Sequence, residues 1–516
     1  MLNRIAENCK SWNVDYRTSI LSFVVIILFL KLLFKDRRKE LLSKIPGPQA
    51  FPIIGNLLQI SKPREKLLSD VLDRCKTYGK LHAIWLGSTP VVGTNDPEYV
   101  QNILHTSKNL DKGFAYKFVR PFLGSGILVS NSQSWAIQRK MLTPAFHFQI
   151  LDSFWGVFTE QGKILIQKLD EKAEAGEVFD VYNYIKYFAL DVICETAMGV
   201  NVHAQKSIDL KYTQSVLRIT AIVLERINKL WLHPNFIFNK TSLGKEHQMH
   251  LDITKDFVDN IIRERKKVRQ QNGSAKNDEK KVDIRKRKLA FLDLLLETQA
   301  EGKYQLTDEE IREEVDNIVF AGHDTTTASI TWAIYLIGLH RDVQENLYNE
   351  QKEIMGSDTQ RPITQEDITK MNLLDRVIKE SLRMYPSVPL ISRVLEEDSK
   401  FGDYIIPKGT TVSVQIFALH RNPNIYPDPD KFDPDRFLPQ NVERRHNYAF
   451  VPFSAGPRNC IGKRLALMEE KFVLSTLIRR YVIESVDKPT DIKLLPEVIL
   501  RPHNGINITL KRRPDV

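Results

Sequence analysis

Hydrophobic positions recur every three or four residues over most of the chain, as in "LDVICETAM" from Leu190 and "LLDRVIKESLRMY" from Leu373. That period marks amphipathic helix. Alternation of apolar and polar residues is confined to "LHAIWLGSTPVVGTN" from Leu81, "YIIPKGTTVSVQIF" from Tyr404 and "EVILRPHNGINITL" from Glu497. Each contains a turn signal, at Ser88 to Pro90, Pro407 to Gly409, and Asn504 with Gly505, so three hairpins are predicted. The pattern gives a mainly α protein with small β-sheets, an α+β arrangement without internal repeats.

The longest helix is predicted from the capping box Thr307 to Glu310 to about Leu339, roughly 48 Å at ~1.5 Å per residue. Its middle, "AGHDTTTAS" from Ala321, is poor helix-forming sequence whose hydroxyls bond back to the preceding turn. Two readings stand. It is a tolerated kink, or an opening where Ala321 and Gly322 admit a close approach and Asp324 and Thr325 supply a polar pair.

Residues 18 to 34, "TSILSFVVIILFLKLLF", form a run of 17 residues that is apolar except for small hydroxyls and Lys31 near one end, the lower bound for a spanning helix. No small-residue cleavage site follows; "KDRRKELLSK" and then "IPGP" do, so the segment is expected to stay as an anchor. Lys35, Arg37, Arg38, Lys39 and Lys44 after it outnumber Arg4, Lys10 and Arg17 before it, which leaves the bulk of the chain in the cytosol. The expected organisation is a lumenal 1–17, an anchor 18–34, a basic, Pro-rich linker 35–48 and one large domain 49–516. The sequons at Asn239, Asn272 and Asn507 then stay unglycosylated.

With 42% hydrophobic residues the chain can build a substantial core. Cys9, Cys75, Cys194 and Cys460 are widely spaced, a poor basis for disulfides or structural zinc. The net charge of +10 is concentrated. From Arg263 to Lys288 there are twelve Lys/Arg against four Asp/Glu, a surplus of eight. This tract reads as a solvated linker between helices, or as a basic patch against anionic lipid, and no nucleic-acid partner is expected.

Cys460 sits in "FSAGPRNCIG", where Gly456 and Gly462 allow close backbone approach and Arg458 places a cation two residues away. Backbone N–H groups in such a turn hold a thiolate, and a thiolate so held is an axial ligand for haem iron. Phe453, Gly456, Arg458, Cys460 and Gly462 match the F-x-x-G-x-R-x-C-x-G haem loop of the cytochromes P450, which the chain resembles over everything after the anchor. "AGHDTT" from Ala321 resembles their oxygen-activating helix. Glu380 and Arg383 resemble their E-x-x-R pair, and Arg436 in "FDPDRF" the arginine that completes that pair's network. "EEVDNIVFAGHDTT" and the run from "FDPDRF" to the cysteine loop are similar to family four, the fatty-acid ω-hydroxylase branch of animals including insects.

The resemblance implies the P450 fold, with a long central helix over haem b and Cys460 as its iron ligand. It implies Trp135, Arg139, Arg393 and Arg458 at the haem propionates, Thr325 and Asp324 as the alcohol and acid of oxygen activation, and Ala321 and Gly322 against the haem. It also implies a single-pass protein of the endoplasmic reticulum that hydroxylates a lipophilic substrate. Electrons come from NADPH-cytochrome reductase, with cytochrome b5 as a further candidate donor. Many family-four members have glutamate where this chain has Ala321, and that carboxylate forms an ester with the haem. Ala321 cannot, so the haem is expected to be non-covalent apart from the sulfur–iron bond. Without the ester, in-chain hydroxylation or broader oxidation of xenobiotics, hormones or terpenoids competes with terminal fatty-acid hydroxylation. A haem-thiolate isomerase or dehydratase would not need the Asp324–Thr325 pair, nor would a haem sensor. Substrate-dependent NADPH consumption separates the sensor from an oxygenase.

Overall fold

The computed structural model describes Ser22 and residues 37–207, 211–273, 290–302, 304–356 and 361–514. The lumenal stretch 1–17, the anchor 18–34 apart from Ser22, and residues 274 to 288 of the basic tract lie outside the described residues, whereas the first part of that tract, 263–273, is not linker but the end of the helix Ser242–Gly273, where Arg265 pairs with Asp293 at 2.5 Å. Among the described residues no helix is long and apolar enough to cross a membrane.

Six helices position the site: α1 (Ser132–Leu142), α2 (Val181–Ile193), α3 (Lys211–Asn228), α4 (Asp308–Leu339), α5 (Asn372–Met384) and α6 (Lys463–Arg480). Helix α4 is the axis of the fold, and α2, α5 and α6 pack around it. Its start is fixed by the expected capping box. Thr307 Oγ1 accepts from Glu310 N at 3.1 Å, and Glu310 Oε2 accepts from Thr307 N at 2.9 Å. Its second half is apolar on all sides, with Ile330, Trp332, Ala333, Ile334 and Tyr335 fully buried, as a helix through a core must be. The helix continues unbroken through "AGHDTTTAS", although Thr325 and Thr327 donate back to Ala321 O and His323 O at 2.8 and 2.6 Å.

The strands are β1 (Leu81–Leu86), β2 (Thr89–Thr94), β3 (Ile391–Val394), β4 (Ser399–Phe401), β5 (Tyr404–Ile406), β6 (Thr411–Val414), β7 (Tyr481–Ser485), β8 (Leu494–Pro496), β9 (Leu500–Pro502) and β10 (Asn507–Arg512). The main sheet has the order β1-β2-β6-β3, parallel only between β2 and β6. The hairpin expected at Leu81 forms, with its turn at Gly87 and Ser88. Pro90 is tolerated inside β2 because the parallel pairing with β6 begins only at Val91.

The other two hairpins do not form. Strand β5 pairs with β4, while β6 crosses to β2 and β3; β9 pairs with β8, while β10 joins β7 and the short strand Phe179–Asp180. The turn residues are real, but they hand the chain from one small sheet to another. The expected linker 35–48 is likewise corrected from Arg37 onward. Leu42 and Ile45 are buried among the main sheet's side chains, Pro46 O accepts from Ala83 N at 2.8 Å, and Arg37 pairs with Asp398 at 2.6 Å. Apolar residues inside a basic segment anchor it to the domain.

Candidate functional site

The chain reaches Cys460 through a tight loop and leaves it into α6. Ser454 and Gly456 have left-handed backbone, φ 58° and 69°. A Cβ on Gly456 would lie 1.7 Å from the Leu104 carbonyl oxygen, so only glycine lets the loop seat on the end of the helix Pro97–Leu104. Cys460 N donates to Phe453 O at 3.0 Å, closing the loop on the first residue of its motif. Burial pushes the Cys460 thiol up; the backbone N–H groups of Gly462 and Lys463 at the start of α6, with Arg139 and the Lys463 side chain, act in the opposite direction. The Arg139 guanidinium grips the same loop, donating to Asn459 O at 2.8 Å and Asn459 Oδ1 at 2.9 Å.

A cluster of cations lies nearby. Arg393 and Arg458 are buried, and the Nε of each is enclosed without a partner. Arg458 spends its other nitrogens on carbonyls of the segment before α1: Leu110 O at 2.5 Å, Ser130 O at 2.8 Å and Ile127 O at 3.3 Å. Lys112 is bridged to Arg393 through the backbone. Burial depresses all three, and their mutual repulsion depresses Lys112 and Arg458 further, the latter to about 9. The ring of Trp135 lies 5.4 Å from the Arg458 guanidinium carbon, a cation–π contact.

Cys460 is exposed and Lys112 half-buried, so both can be reached by a bound group. Among the described residues no carboxylate is within ion-pair distance of Lys112, Arg393 or Arg458. Three cations in direct ion-pair contact with no carboxylate of the described residues form a receptor for carboxylates. These residues fit haem: a thiol on helix-terminal amides for the iron, and unpaired cationic donors for the two propionates.

A family model, Cytochrome P450, matches residues 45–510. The chain belongs to that family. Cytochrome P450 4c3 of Drosophila melanogaster is 41% identical over 95% of this chain and 93% of its own length. Cytochrome P450 4V2 of Homo sapiens is 40% identical over 99% and 98%, and cytochrome P450 4c21 of Blattella germanica 39% over 96% and 99%. The protein is thus a P450 monooxygenase of mainly α fold, in a family that carries haem, draws electrons from a redox-partner reductase and binds lipophilic substrates.

In this P450 the E-x-x-R pair lies on α5, where Arg383 Nε and Nη2 donate to the two oxygens of Glu380 at 2.7 and 2.8 Å. The same guanidinium reaches His420 O at 3.0 Å and Pro429 O at 2.7 Å. Arg436 completes the group, its Nε 3.4 Å from Glu380 Oε1 and its Nη2 on Asp428 O at 2.9 Å. These bonds pin the segment that leads into the cysteine loop.

On α4, Thr325 Oγ1 donates to Ala321 O, and the Thr325 carbonyl accepts from Ser387 Oγ at 2.9 Å. Asp324 is buried and paired with Arg501 of β9. Gly322 is explained by packing: a Cβ there would meet Ile193 Cδ1 of α2 at 2.6 Å. Arg139 is held by Asn459 on the cysteine loop. Lys112, Ser387, Glu497 and Arg501 were not among the residues singled out from sequence. Only Arg501 left a trace there, as an arginine with a carboxylate four residues earlier inside an otherwise apolar stretch.

Proposed function

We propose that this P450 is a membrane-tethered monooxygenase of the endoplasmic reticulum, its domain in the cytosol, that hydroxylates a fatty acid or related lipid. One substrate C–H bond becomes C–OH: RH, O2, NADPH and H⁺ give ROH, H2O and NADP⁺. Haem b is held non-covalently apart from the Cys460 sulfur–iron bond. NADPH-cytochrome reductase supplies both electrons, with cytochrome b5 as a second donor. The observation that carries the reading is Cys460, set on the amides that open α6 beside the buried Arg393 and Arg458 and the half-buried Lys112, none of them in ion-pair contact with a carboxylate of the described residues.

Haem, when bound, supplies oxygen activation, its thiolate ligand pushing electron density to favour O–O cleavage. Trp135, Arg139, Arg393 and Arg458 would contact its propionates, with Lys112 beside Arg393 as a further donor. Thr325 holds water by hydrogen bonds at the cavity side of α4, and Asp324 passes protons toward it. Ala321 contributes only a methyl group, so no ester forms. Phe122 packs edge-on against Phe320 of α4 at 5.3 Å, and Phe118 lies in the same apolar cluster, a wall suited to a lipophilic ligand. Ala321 also supports a second reading, oxidation within the chain of a lipid or of a broader set of lipophiles.

Membrane attachment is supported by the surface. Phe51, Ile53, Leu58, Trp231 and Phe236 are exposed, 49 to 71%. The two stretches they come from meet at Gly87, whose Cβ position lies 3.2 Å from the Leu230 side chain and 3.5 Å from Ile53 O. Apolar side chains gathered this way match a surface dipped into lipid. Asn507 sits in β10 with its amide on Asp487 Oδ1 at 3.2 Å, which supports an unglycosylated, cytosolic face.

The deciding experiment is product identification. Full-length protein in lipid, with reductase and NADPH, is given medium- and long-chain fatty acids and the products are mapped by mass spectrometry. Terminal hydroxy acids are expected. In-chain products favour the second reading, and no oxygenated product from any lipophile, in protein whose carbon monoxide complex reports thiolate ligation, defeats both.

A further inference from the structure

Three side chains from one turn of α4 take hold of the same stretch of backbone. Glu313 Oε2 accepts from Ser125 N at 3.0 Å, Glu314 Oε2 from Ile127 N at 3.1 Å and Asn317 Oδ1 from Leu128 N at 2.9 Å. The Asn317 amide nitrogen returns a bond to Leu123 O at 2.7 Å. A Cβ on Gly126 would lie 2.3 Å from that nitrogen, so the approach is closer than any other residue allows. Glu314 and Asn317 are buried, and Glu314 Oε1 is enclosed without a partner. Burial, with Glu313 and Glu310 adding to it, raises the Glu314 carboxyl to about 8. At neutral pH it therefore meets Ile127 as an uncharged acid whose carbonyl oxygen accepts.

The carbonyls of the same stretch go to other elements. Arg458 Nη2 donates to Ile127 O, Leu128 O and Ser130 O at 3.3, 3.4 and 2.8 Å, and Gln138 Nε2 of α1 donates to Ser125 O at 2.9 Å. Residues 123–130 thus form a strap, with amides on the helix of Asp324 and Thr325 and carbonyls on the arginine two residues before Cys460. Phe122 enters the strap packed on Phe320 of α4 at 5.3 Å, and Leu123, Ile127 and Val129 are buried in the main core.

A displacement of about 1 Å between reacting groups can cost ~10²-fold in rate, even when its cause lies far from the chemistry. The strap ties both sides of the site together, and its spacing from α4 is set by three side chains. We propose that Glu313, Glu314 and Asn317 are positioning residues for specificity: they hold the strap at a fixed distance from α4 and so decide which carbon of a lipophilic substrate is oxidised. The proposal rests on the monooxygenase reading given above and deepens it.

The test follows the positions of hydroxylation in full-length protein in lipid with reductase and NADPH. The probe is a saturated fatty acid, or another lipophile where the wild type oxidises that instead. Rates are referred to the fraction of protein whose carbon monoxide complex reports thiolate ligation, which removes the effect of lost haem. Glu314→Leu and Asn317→Leu each take an acceptor from the strap, and Gly126→Ala pushes the strap off α4 without altering the helix. Each is expected to raise KM about fivefold with kcat within about twofold, and to change the ratio of the two main products at least about threefold. Glu314→Gln keeps the acceptor and should keep wild-type values of both. A role in stability alone lowers the active fraction and leaves the product ratio unchanged. Wild-type ratios in Glu314→Leu and Gly126→Ala overturn the proposal, as does Glu314→Gln shifting the ratio as far as Glu314→Leu. Wild-type protein that forms no product from any lipophile defeats the monooxygenase reading instead. Hydrogen exchange of the peptide carrying Ser125, Ile127 and Leu128 then decides whether α4 holds the strap: exchange at least about tenfold faster in Glu314→Leu supports the hold, and unchanged exchange overturns it.

Discussion

Glu380 gives both carboxylate oxygens to Arg383, and neither side chain has any accessible surface. A salt bridge this deep adds little net stability, yet losing one partner leaves a bare charge in the core. Arg383 also holds carbonyls of His420, Pro429 and Lys431, so the pair organises the segment that precedes the cysteine loop. Glu380→Gln should therefore lower unfolding stability by about 3–5 kcal/mol and reduce the haem-to-protein ratio. Equilibrium unfolding and haem content measure the two effects, and a variant that keeps full haem would detach this network from the site.

Cys460 sits on backbone donors that a hydroxyl can also use. Cys460→Ser should keep the fold, with stability changed by less than about 1.5 kcal/mol. Turnover should drop by at least about 10²-fold, because a serine oxygen cannot replace the thiolate's electron donation. The carbonyl-complex spectrum should lose its thiolate signature while circular dichroism stays the same.

Thr325 already uses its hydrogen on Ala321 O, leaving oxygen lone pairs for water. In Thr325→Val the shape is nearly preserved and the hydroxyl is lost. NADPH oxidation should continue while product per NADPH falls several-fold and peroxide rises, by roughly 1–2 kcal/mol of lost discrimination. Full product yield without extra peroxide would remove Thr325 from proton handling.

How much of this could be read from residues alone depended on how local the cause was. Helix α4 was legible from cap to end because its capping box and apolar run are contiguous, and the Leu81 hairpin because two residues close it. Strands β5, β6, β9 and β10 were placed, but their partners were not, since those are chosen by packing across distant segments. Glu309 and Arg312 form the same i,i+3 pair as Glu380 and Arg383, but Glu309 lies at the exposed start of α4. Only burial and a third arginine separate the two, and neither is written in the spacing. Lys112 and Arg501 were hidden for the same reason: a cation's importance here comes from what surrounds it.

Ala321 carries no carboxylate, and the next acid along α4 toward its start, Asp316, is engaged by Arg312 at 2.8 Å. The haem should therefore leave the denatured chain on treatment with acid and organic solvent. Ala321→Glu should convert a fraction of it to a form that stays with the polypeptide in denaturing chromatography. Haem retained by the wild-type chain would mean that another side chain forms the link.

Glu470 of α6 is buried against α4, where Ser329 Oγ donates to its Oε1 at 2.8 Å. Burial raises its carboxyl from 4.5 to about 8. The folded protein thus binds a proton that the unfolded chain releases between those values. Below about pH 4.5 the group is neutral in both states and makes no difference. As pH rises from 5 to 8, folding stability is lost at up to about 1.4 kcal/mol per unit from this group. Above 8 the loss levels off, because the folded form has then ionised too. Glu470→Gln stays neutral throughout and keeps an acceptor for Ser329. Its melting temperature should match the wild type near pH 5 and exceed it by several degrees at pH 8, and parallel melting curves across that range would show that Glu470 is ionised in the folded protein.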